Sequence, residues 1–239
     1  MRDYEKETHQ RVTFIQNLLA ETKAKGIVFG SSGGKDSALV GILARKATPD
    51  VLGVIMPCQS TVNYGQDKED ALLLGQTYDI KHIEIDLTDT KIEFVTSIGE
   101  GLSSASAINI APRLRMAALY ALAGNRNYLV AGTSNRSETY MGYFTKWGDG
   151  AHDFNVISDL TVTEVYEFLK YLQAPETFLT KSPSAGLYEG QTDEADMGIS
   201  YENIDRYLMY GEVVPGTEKI IQANRKSAHK RLPILRFKP

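Results

Sequence analysis

Several features that define particular protein classes are scarce in this sequence. It has a single cysteine, Cys58, so no disulfide can form within the chain, as is typical of proteins from a reducing compartment. No apolar run reaches the ~20 residues that cross a bilayer, and the start of the chain is charged, unlike a secretory signal. The net charge of −4 supplies no basic field for nucleic acid. We therefore expect a cytoplasmic protein that binds neither membranes nor nucleic acid.

What the sequence does contain is an alternation of strand-like and helix-like segments. Its 239 residues suit a single domain, because α/β domains often run to about 200–250 residues. The alternation predicts an α/β fold with a doubly wound, mostly parallel sheet and helices on both faces. Strands are predicted at 26–30, 51–56, 81–86 and 127–132, and helices at 3–24, from the glycine loop to about 47, and at 67–78, 107–123, 161–171, 200–210 and 216–228.

Local signals refine some of these boundaries. Thr161 and Glu164 form a capping-box pattern that opens a helix. Pro112 suits a first helical position, so a helix is expected to begin there. The stretch 174–196 contains Pro175 and Pro183 and has no periodicity, which predicts a long functional loop with 175–196 as a candidate lid.

The most informative segment is Gly30–Ser37, which lies between an apolar strand and a helix-like run. A strand that feeds such a turn aims backbone N–H groups at one point, and the helix N-terminus adds partial positive charge, so a phosphate site is predicted. The P-loop pattern fails because Phe29 replaces its first glycine and Asp36 follows the lysine. The dinucleotide fingerprint fails at Ser32. A plain glycine-rich connection is the alternative interpretation.

The pattern Ser-Gly-Gly-Lys-Asp-Ser at 32–37 resembles the pyrophosphate-binding loop of the ATP pyrophosphatase superfamily, whose members split ATP between its α and β phosphates. Further motifs make the chain similar to the ammonia-dependent NAD synthetases from about Gly26 to Arg231. These motifs are Arg113–Met116, Gly132–Glu138, Gly142–Gly150, Lys181–Leu187 and Ser227–Arg231. The resemblance implies an adenine nucleotide alpha hydrolase-like fold, with 1–239 as one synthetase domain. It also implies a ligase that adenylates the carboxylate of deamido-NAD with ATP and then displaces AMP with ammonia, giving NAD, AMP and pyrophosphate.

The same resemblance implies roles for individual residues. ATP, the co-substrate, would be held by Gly30, Ser31, Ser32, Gly33, Gly34, Lys35, Asp36, Ser37, Thr133 and Ser184. Magnesium, a hard ion that prefers carboxylate and phosphate oxygens, would be bound by Asp36 and Glu138. Deamido-NAD would be bound by Arg113, Lys146, Asp153, His229 and Lys230. The catalytic residues would be Lys35, Asp36 and Lys146. The alternative for most of them is an ordinary surface or capping role.

This chain departs from the family pattern at three positions. Val162 stands where the family often has a lysine that reaches ATP, so Lys35 or Lys181 is hypothesised to supply the missing charge. The family favours threonine and aspartate where this chain has Ser184 and Gly186. Ser184 keeps the hydroxyl, which is compatible with ATP binding.

The nitrogen source and the partners follow from the same resemblance. Glutamine-dependent relatives carry an additional glutaminase domain with a catalytic cysteine, for which we expect neither room nor a suitable cysteine here, so ammonia is the predicted donor. A homodimer is expected, with the dinucleotide site near the subunit interface. Two alternatives remain open. One is another amidating or tRNA-modifying enzyme of the superfamily, and the other is a non-catalytic nucleotide-binding module, which Val162 and Gly186 would favour.

Overall fold

A four-stranded parallel sheet lies at the centre of the fold, in a computed structural model that describes residues 2–59, 64–181, 183–184 and 192–237. The strands are β1 (Gly26–Gly30), β2 (Val51–Ile55), β3 (Lys81–Glu84) and β4 (Tyr128–Ala131). Their spatial order is β3-β2-β1-β4, and each neighbouring pair is parallel. The chain therefore winds outward from β1 in both directions, which confirms the predicted doubly wound α/β fold.

Helices connect the strands and cover both faces of the sheet. They are α1 (Tyr4–Thr22), α2 (Lys35–Ala47), α3 (Gln66–Tyr78), α4 (Thr88–Ile98), α5 (Ser104–Ile108), α6 (Ile110–Arg126), α7 (Arg136–Met141), α8 (Val162–Tyr171), α9 (Thr177–Thr180), α10 (Asp193–Met197), α11 (Tyr201–Tyr210) and α12 (Thr217–Lys226), followed by a 3-10 turn at Ala228–Lys230. Within the described parts of the chain, no helix combines the length and apolar character needed to span a membrane.

The side chains of β1 alternate between two buried clusters, as the pleat of a strand requires. Ile27 and Phe29 pack in one cluster with Leu39 of α2. Val28 points to the other face and packs in a second cluster with Val130 of β4 and with side chains of α6. Because both faces are covered, β1 and β2 are continuous apolar runs, which is why they were predictable from sequence. The edge strand β3 is exposed or half-buried along its length and mixes charged with apolar residues.

Several segments differ from the sequence-based prediction, among them the short helices α5 and α7, which were not predicted. Helix α4 was not predicted, because it has no buried residue and so shows no core-facing stripe. The expected helix start at Pro112 is wrong by two residues, since α6 begins at Ile110. A proline is tolerated in this first turn because the N–H groups there have no intrahelical partner. The stretch 174–196 contains the short helices α9 and α10. Residues 182 and 185–191, including Gly186, lie outside the described residues, so the lid stays a prediction.

Candidate active site

A cavity of about 890 Å³ lies at the carboxyl ends of β1, β2 and β4. This is the edge at which parallel α/β sheets bind their ligands. The predicted site residues that line it are Gly30, Ser31, Ser32, Gly34, Lys35, Asp36, Ser37, Thr133, Glu138, Ser184 and Lys230. The structure therefore brings the glycine loop together with the second-half motifs that follow β4.

The glycine loop has a conformation that its sequence dictates. Gly33 has φ +72°, and a Cβ there would overlap the backbone carbonyl of Asp67, so only glycine fits. The Ser32 hydroxyl accepts a hydrogen bond from the Gly34 N–H at 3.3 Å, and the Ser37 hydroxyl donates to the Gly34 carbonyl at 3.0 Å. The first turn of α2 follows directly and lines the cavity. Its N-terminus thus presents N–H groups and partial positive charge, as a phosphate site needs.

A cluster of charged residues, in which Lys35 is buried and Asp36 and Glu138 are half-buried, lies beside this loop. The ammonium of Lys35 is 2.7 Å from Asp36 Oδ2 and lies 5.8 and 5.7 Å from the ring centres of Tyr166 and Tyr201. Burial alone would lower the pKa of Lys35, but the charges of Asp36 and Glu138 outweigh it and raise that pKa. Burial and the nearby Asp36 charge raise the pKa of Glu138 well above its usual range. Lys35 is therefore a permanent cation among acids at this end of the cavity.

The donor set at this end fits a hard divalent cation. Among the described residues, six carboxylates and four cationic side chains line the cavity. These side chains carry no net positive charge that could neutralise the phosphates of ATP. Asp36 and Glu138 supply the carboxylate oxygens that magnesium prefers. The described residues contain no group of three or more His, Cys, Asp or Glu side chains placed to hold a metal. Magnesium would take its other ligands from phosphate and water, as this ion usually does.

Glu138 owes its position to the start of α7, where Asn135 is the N-cap. The Asn135 Oδ1 accepts from the Glu138 N–H at 3.0 Å, and Glu138 Oε2 accepts from the Asn135 N–H at 3.1 Å. This is a capping box, and it turns the Glu138 carboxylate back over the helix N-terminus. The sequence analysis did not single out Asn135, although the Asn-x-x-Glu spacing is a signal for it.

The two lysines proposed to replace the charge missing at Val162 lie in different surroundings. Val162 itself is buried in an apolar cluster with Tyr201. The Lys181 ammonium is 2.7 Å from both Asp67 Oδ1 and Asp70 Oδ2, and it donates to the Gly33 carbonyl at 3.2 Å. Two carboxylates thus neutralise the charge of Lys181. Lys35 lies nearer to Val162, because its ammonium faces the ring of Tyr201, which belongs to the same apolar cluster as Val162.

The far end of the cavity is formed by the Gly142–Gly150 motif and Lys230. The Lys230 ammonium donates to the carbonyls of Gly142 and Phe144 at 2.7 and 2.6 Å. Asp149 Oδ1 accepts from the Thr145 N–H at 2.9 Å. Partial desolvation by the surrounding protein raises the pKa of Asp149 and lowers that of Lys230. Lys230 therefore both lines the cavity and fixes the backbone of the motif around it.

Three of the predicted dinucleotide contacts lie outside the cavity lining, on what we term the outer patch, formed by Arg113, Lys146, Trp147 and His229. Arg113 donates to the Lys146 carbonyl at 3.4 Å, and the Lys146 ammonium donates to the His229 carbonyl at 2.8 Å. That ammonium also lies 5.4 Å from the centre of the Trp147 ring, a residue that is 53% exposed. The outer patch is thus a connected, solvent-facing surface beside the motif.

Asp153, the remaining predicted contact, also lies outside the cavity lining. One carboxylate oxygen accepts from the Val130 N–H at 2.8 Å and the other from the Tyr120 hydroxyl at 3.2 Å. These partners belong to β4 and α6, so the hydrogen bonds of Asp153 join the loop that carries it to the sheet and to the helix that packs on it.

Sequence reasoning missed several charged residues that line the cavity. Arg115 donates from Nε to the Met56 carbonyl at 2.9 Å, at the end of β2. Asp193, at the start of α10, accepts from the Tyr201 hydroxyl at 3.0 Å and contributes to the raised pKa of Glu138. Arg115 stands inside a motif that was recognised, whereas no local pattern marks Asp193.

Comparisons of sequence and of structure both match this chain to enzymes that are named as nicotinamide nucleotide synthetases. The family model described as NAD synthase matches residues 7–236. An NH3-dependent NAD(+) synthetase of Carboxydothermus hydrogenoformans is 44% identical over 96% of both chains. Among solved structures, an NMN synthetase from Francisella tularensis has a TM-score of 0.92 and 37% identity, covering 100% of this chain and 99% of that one. An NH3-dependent NAD synthetase from Campylobacter jejuni has a TM-score of 0.81 and 31% identity over 100% of both chains.

Proposed function

This chain belongs to the NAD synthase family, and we propose how the residues around its cavity carry out the family's reaction. It is an ammonia-dependent NAD synthetase, an enzyme that makes NAD from deamido-NAD, ATP and ammonia. The observation that supports our assignment of roles is the cavity itself. One end combines a helix N-terminus with Lys35, Asp36 and Glu138, and the other carries Lys230.

In the first proposed step, the carboxylate of the nicotinate nucleotide attacks the α-phosphorus of ATP. A new O–P bond forms, the bond to the β-phosphate oxygen breaks, and pyrophosphate leaves with the electron pair. The negative charge of the transition state is spread over the phosphate oxygens. The protein therefore acts by positioning the substrates and by electrostatic stabilisation rather than by a nucleophile of its own. The N-terminus of α2 and the Lys35 ammonium supply the positive charge that stabilises the phosphate oxygens.

In the second proposed step, ammonia attacks the activated carboxyl carbon. The C–N bond forms, the acyl C–O bond to AMP breaks, AMP leaves with the electron pair, and one proton is released. Lys230 and the backbone it holds at Gly142 and Phe144 would position the nicotinate end. Asp36 and Glu138 would hold magnesium, which when bound neutralises phosphate charge.

The assembly and location of the enzyme are also part of the proposal. A homodimer would cover the outer patch, where Arg113, Lys146 and His229 could then contact the adenylate half of deamido-NAD. The single cysteine, Cys58, is compatible with the cytoplasm. Size-exclusion chromatography with light scattering tests the dimer, and a monomer at assay concentrations would exclude it.

One assay tests the chemistry. The protein is incubated with ATP, magnesium, deamido-NAD and ammonium, and the products are separated by chromatography. NAD, AMP and pyrophosphate in equal amounts are expected. ADP and phosphate would reject attack at the α-phosphorus, and intact ATP binding without turnover would favour a non-catalytic module. Equal turnover with glutamine in ammonia-free buffer would reject ammonia as the nitrogen donor.

A second candidate function is a preference for the mononucleotide, nicotinate mononucleotide, as the acceptor. Two observations favour it. The neighbour with TM-score 0.92 is an NMN synthetase. In addition, Lys230 is the one cation predicted to bind the dinucleotide that lines the cavity. Arg115, which was not predicted, lines the cavity as well. A single terminal phosphate could be bound by cations inside the cavity, without the outer patch.

The two acceptors can be separated with one surface variant. For a dinucleotide enzyme, Lys146→Ala is expected to lower kcat/KM for deamido-NAD by about tenfold, the equivalent of ~1.4 kcal/mol. A mononucleotide enzyme would have the higher kcat/KM with nicotinate mononucleotide and would be insensitive to this change. Lys170→Ala, at an exposed lysine on α8, is the matched control.

A further inference from the structure

Asn135 connects the two carboxylates assigned to magnesium. Its side-chain Nδ2 donates to Asp36 Oδ1 at 3.1 Å, and its backbone N–H donates to Glu138 Oε2 at 3.1 Å. Its Oδ1 accepts from the Glu138 N–H at 3.0 Å. Asn135 is fully buried. Asn135 therefore contacts both carboxylates, Asp36 through its side-chain amide and Glu138 through its backbone N–H, while Asp36 Oδ2 faces the Lys35 ammonium at 2.7 Å.

Helix capping alone does not explain an asparagine at this position. A cap needs only an acceptor, and Ser, Asp and Asn serve about equally well. The additional group of asparagine is its amide donor, and that donor is used on Asp36. Asp36 follows β1 and Asn135 follows β4, and these strands are parallel neighbours paired at Val28 and Val130. The hydrogen bond therefore links two adjacent strand ends across the site.

The chain contains an internal comparison for this arrangement. Thr161 caps α8 through a second capping box, in which Glu164 Oε2 accepts from the Thr161 N–H at 2.9 Å. Thr161 is fully buried, like Asn135. The capping is equivalent, but the Thr161 box lies outside the cavity lining. Removal of the Thr161 cap therefore measures the cost of losing a cap away from the cation site, and a change at Asn135 can be compared with it.

We propose that Asn135 is a positioning residue that sets the spacing and orientation of Asp36 and Glu138 for a divalent cation. The inference rests on the proposed function, because these two acids are its magnesium ligands. Residues that orient metal ligands by hydrogen bonds usually change metal affinity or activity by about 10–100-fold when mutated. Asn135→Ser keeps an acceptor for the cap but removes the amide that reaches Asp36, so it isolates the proposed role.

The test is Mn²⁺ binding to the purified full chain with ATP, measured by electron paramagnetic resonance, together with the melting temperature. We expect Asn135→Ser to weaken Mn²⁺ binding about 10–100-fold with little change in melting temperature. Thr161→Ala should lower the melting temperature and leave Mn²⁺ affinity at the wild-type value. In steady-state assays, Asn135→Ser should need more magnesium for half-maximal rate, and kcat should recover at saturating magnesium.

Wild-type Mn²⁺ affinity in folded Asn135→Ser would overturn the proposal. If that variant does not fold, Asn135→Thr is the substitute, with the same expectation and the same refutation. Failure of the proposed function gives a different result. In that case the wild-type chain would show no Mn²⁺ binding, or Asp36→Asn and Glu138→Gln would bind Mn²⁺ as the wild type does.

Discussion

The Ser31 hydroxyl donates a hydrogen bond to Nε2 of His82, 3.0 Å away. The direction follows because His82 Nδ1 lies 3.0 Å from the Ile80 carbonyl, which can only accept. The ring fits beneath the loop because a Cβ at Gly53 or Gly75 would overlap it. Burial lowers the pKa of His82, so the ring stays neutral near pH 7. Ser31 therefore directs its proton to the histidine and away from the cavity.

Ser31→Ala is expected to affect stability more than ATP binding. The KM for ATP should stay within about threefold of wild type, because the hydroxyl proton is not available to phosphate. The free energy of unfolding should fall by about 0.5–1.5 kcal/mol, because Nε2 of the half-buried His82 loses its hydrogen-bond partner. Urea denaturation and ATP kinetics measure the two effects. Ser32→Ala, at an exposed hydroxyl of the same loop, should show the opposite pattern, and a loss of ATP affinity in Ser31→Ala alone would contradict this account.

Lys35→Met should remove most of the activity. The substitution deletes the cation beside Asp36 and Glu138, and the loss of such a charge typically costs about 10²–10³ in kcat. ATP affinity, measured by calorimetry with magnesium present, should fall as well. Unchanged affinity in both Lys35→Met and Lys181→Met would refute the hypothesis that either lysine replaces the charge absent at Val162.

Lys181→Met should act mainly on stability. The substitution leaves Asp70, which is 2% exposed, without its cation, and breaking a buried pair in this way typically costs about 3–5 kcal/mol. Adding Asp70→Asn should restore part of the loss, because the buried charge is then gone. Urea denaturation of the two single variants and the double variant gives the coupling. Strictly additive losses would show that the pair is not coupled.

Acid should loosen the packing of α1 through Asp159. Burial would raise the pKa of this carboxyl, but hydrogen bonds and charge from Arg11, with the charge of Arg2, outweigh it and lower the pKa. A lowered pKa means that the carboxylate stabilises the fold above the ordinary carboxyl value of about 3.9, and that this contribution is lost as pH falls through the folded-state pKa. Urea unfolding between pH 3 and 6 should therefore show a shallower pH dependence for Asp159→Asn than for wild type. Equal slopes would contradict the assignment.

The sequence was informative where buried runs and glycine-dependent turns determine local structure. Strands β1 and β2 were predictable because both of their faces are buried, and the Gly30–Ser37 loop was predictable because Gly33 requires glycine. Strand β3 is at most half-buried and gave a weaker signal. Helix α4 was not, because Ile92, Phe94 and Ile98 are all substantially exposed and form no core-facing pattern. Periodicity reports burial, so a helix with little burial gives no signal.

For the site, motifs identified segments better than individual side chains. Arg113 and Arg115 lie two positions apart on α6 and thus about 200° apart around its axis. Arg115 faces the cavity and Arg113 faces solvent, a distinction that depends on how α6 packs on the sheet. The contact between Asn135 and Asp36 joins residues that are distant in sequence, so it required the tertiary structure.

The turn that carries Trp147 can be followed by the intrinsic fluorescence of the enzyme. Trp147 is the sole tryptophan of the chain and adopts a left-handed backbone conformation, with φ +61°. Its neighbours Thr145 and Gly148 line the cavity, while its own ring is half in solvent. Indole emission depends on local polarity, so the fluorescence of the unlabelled protein reports on this one turn. Acceptor binding, and the dimerisation that we propose at the outer patch, can both be tested by emission wavelength, with no competing tryptophan signal.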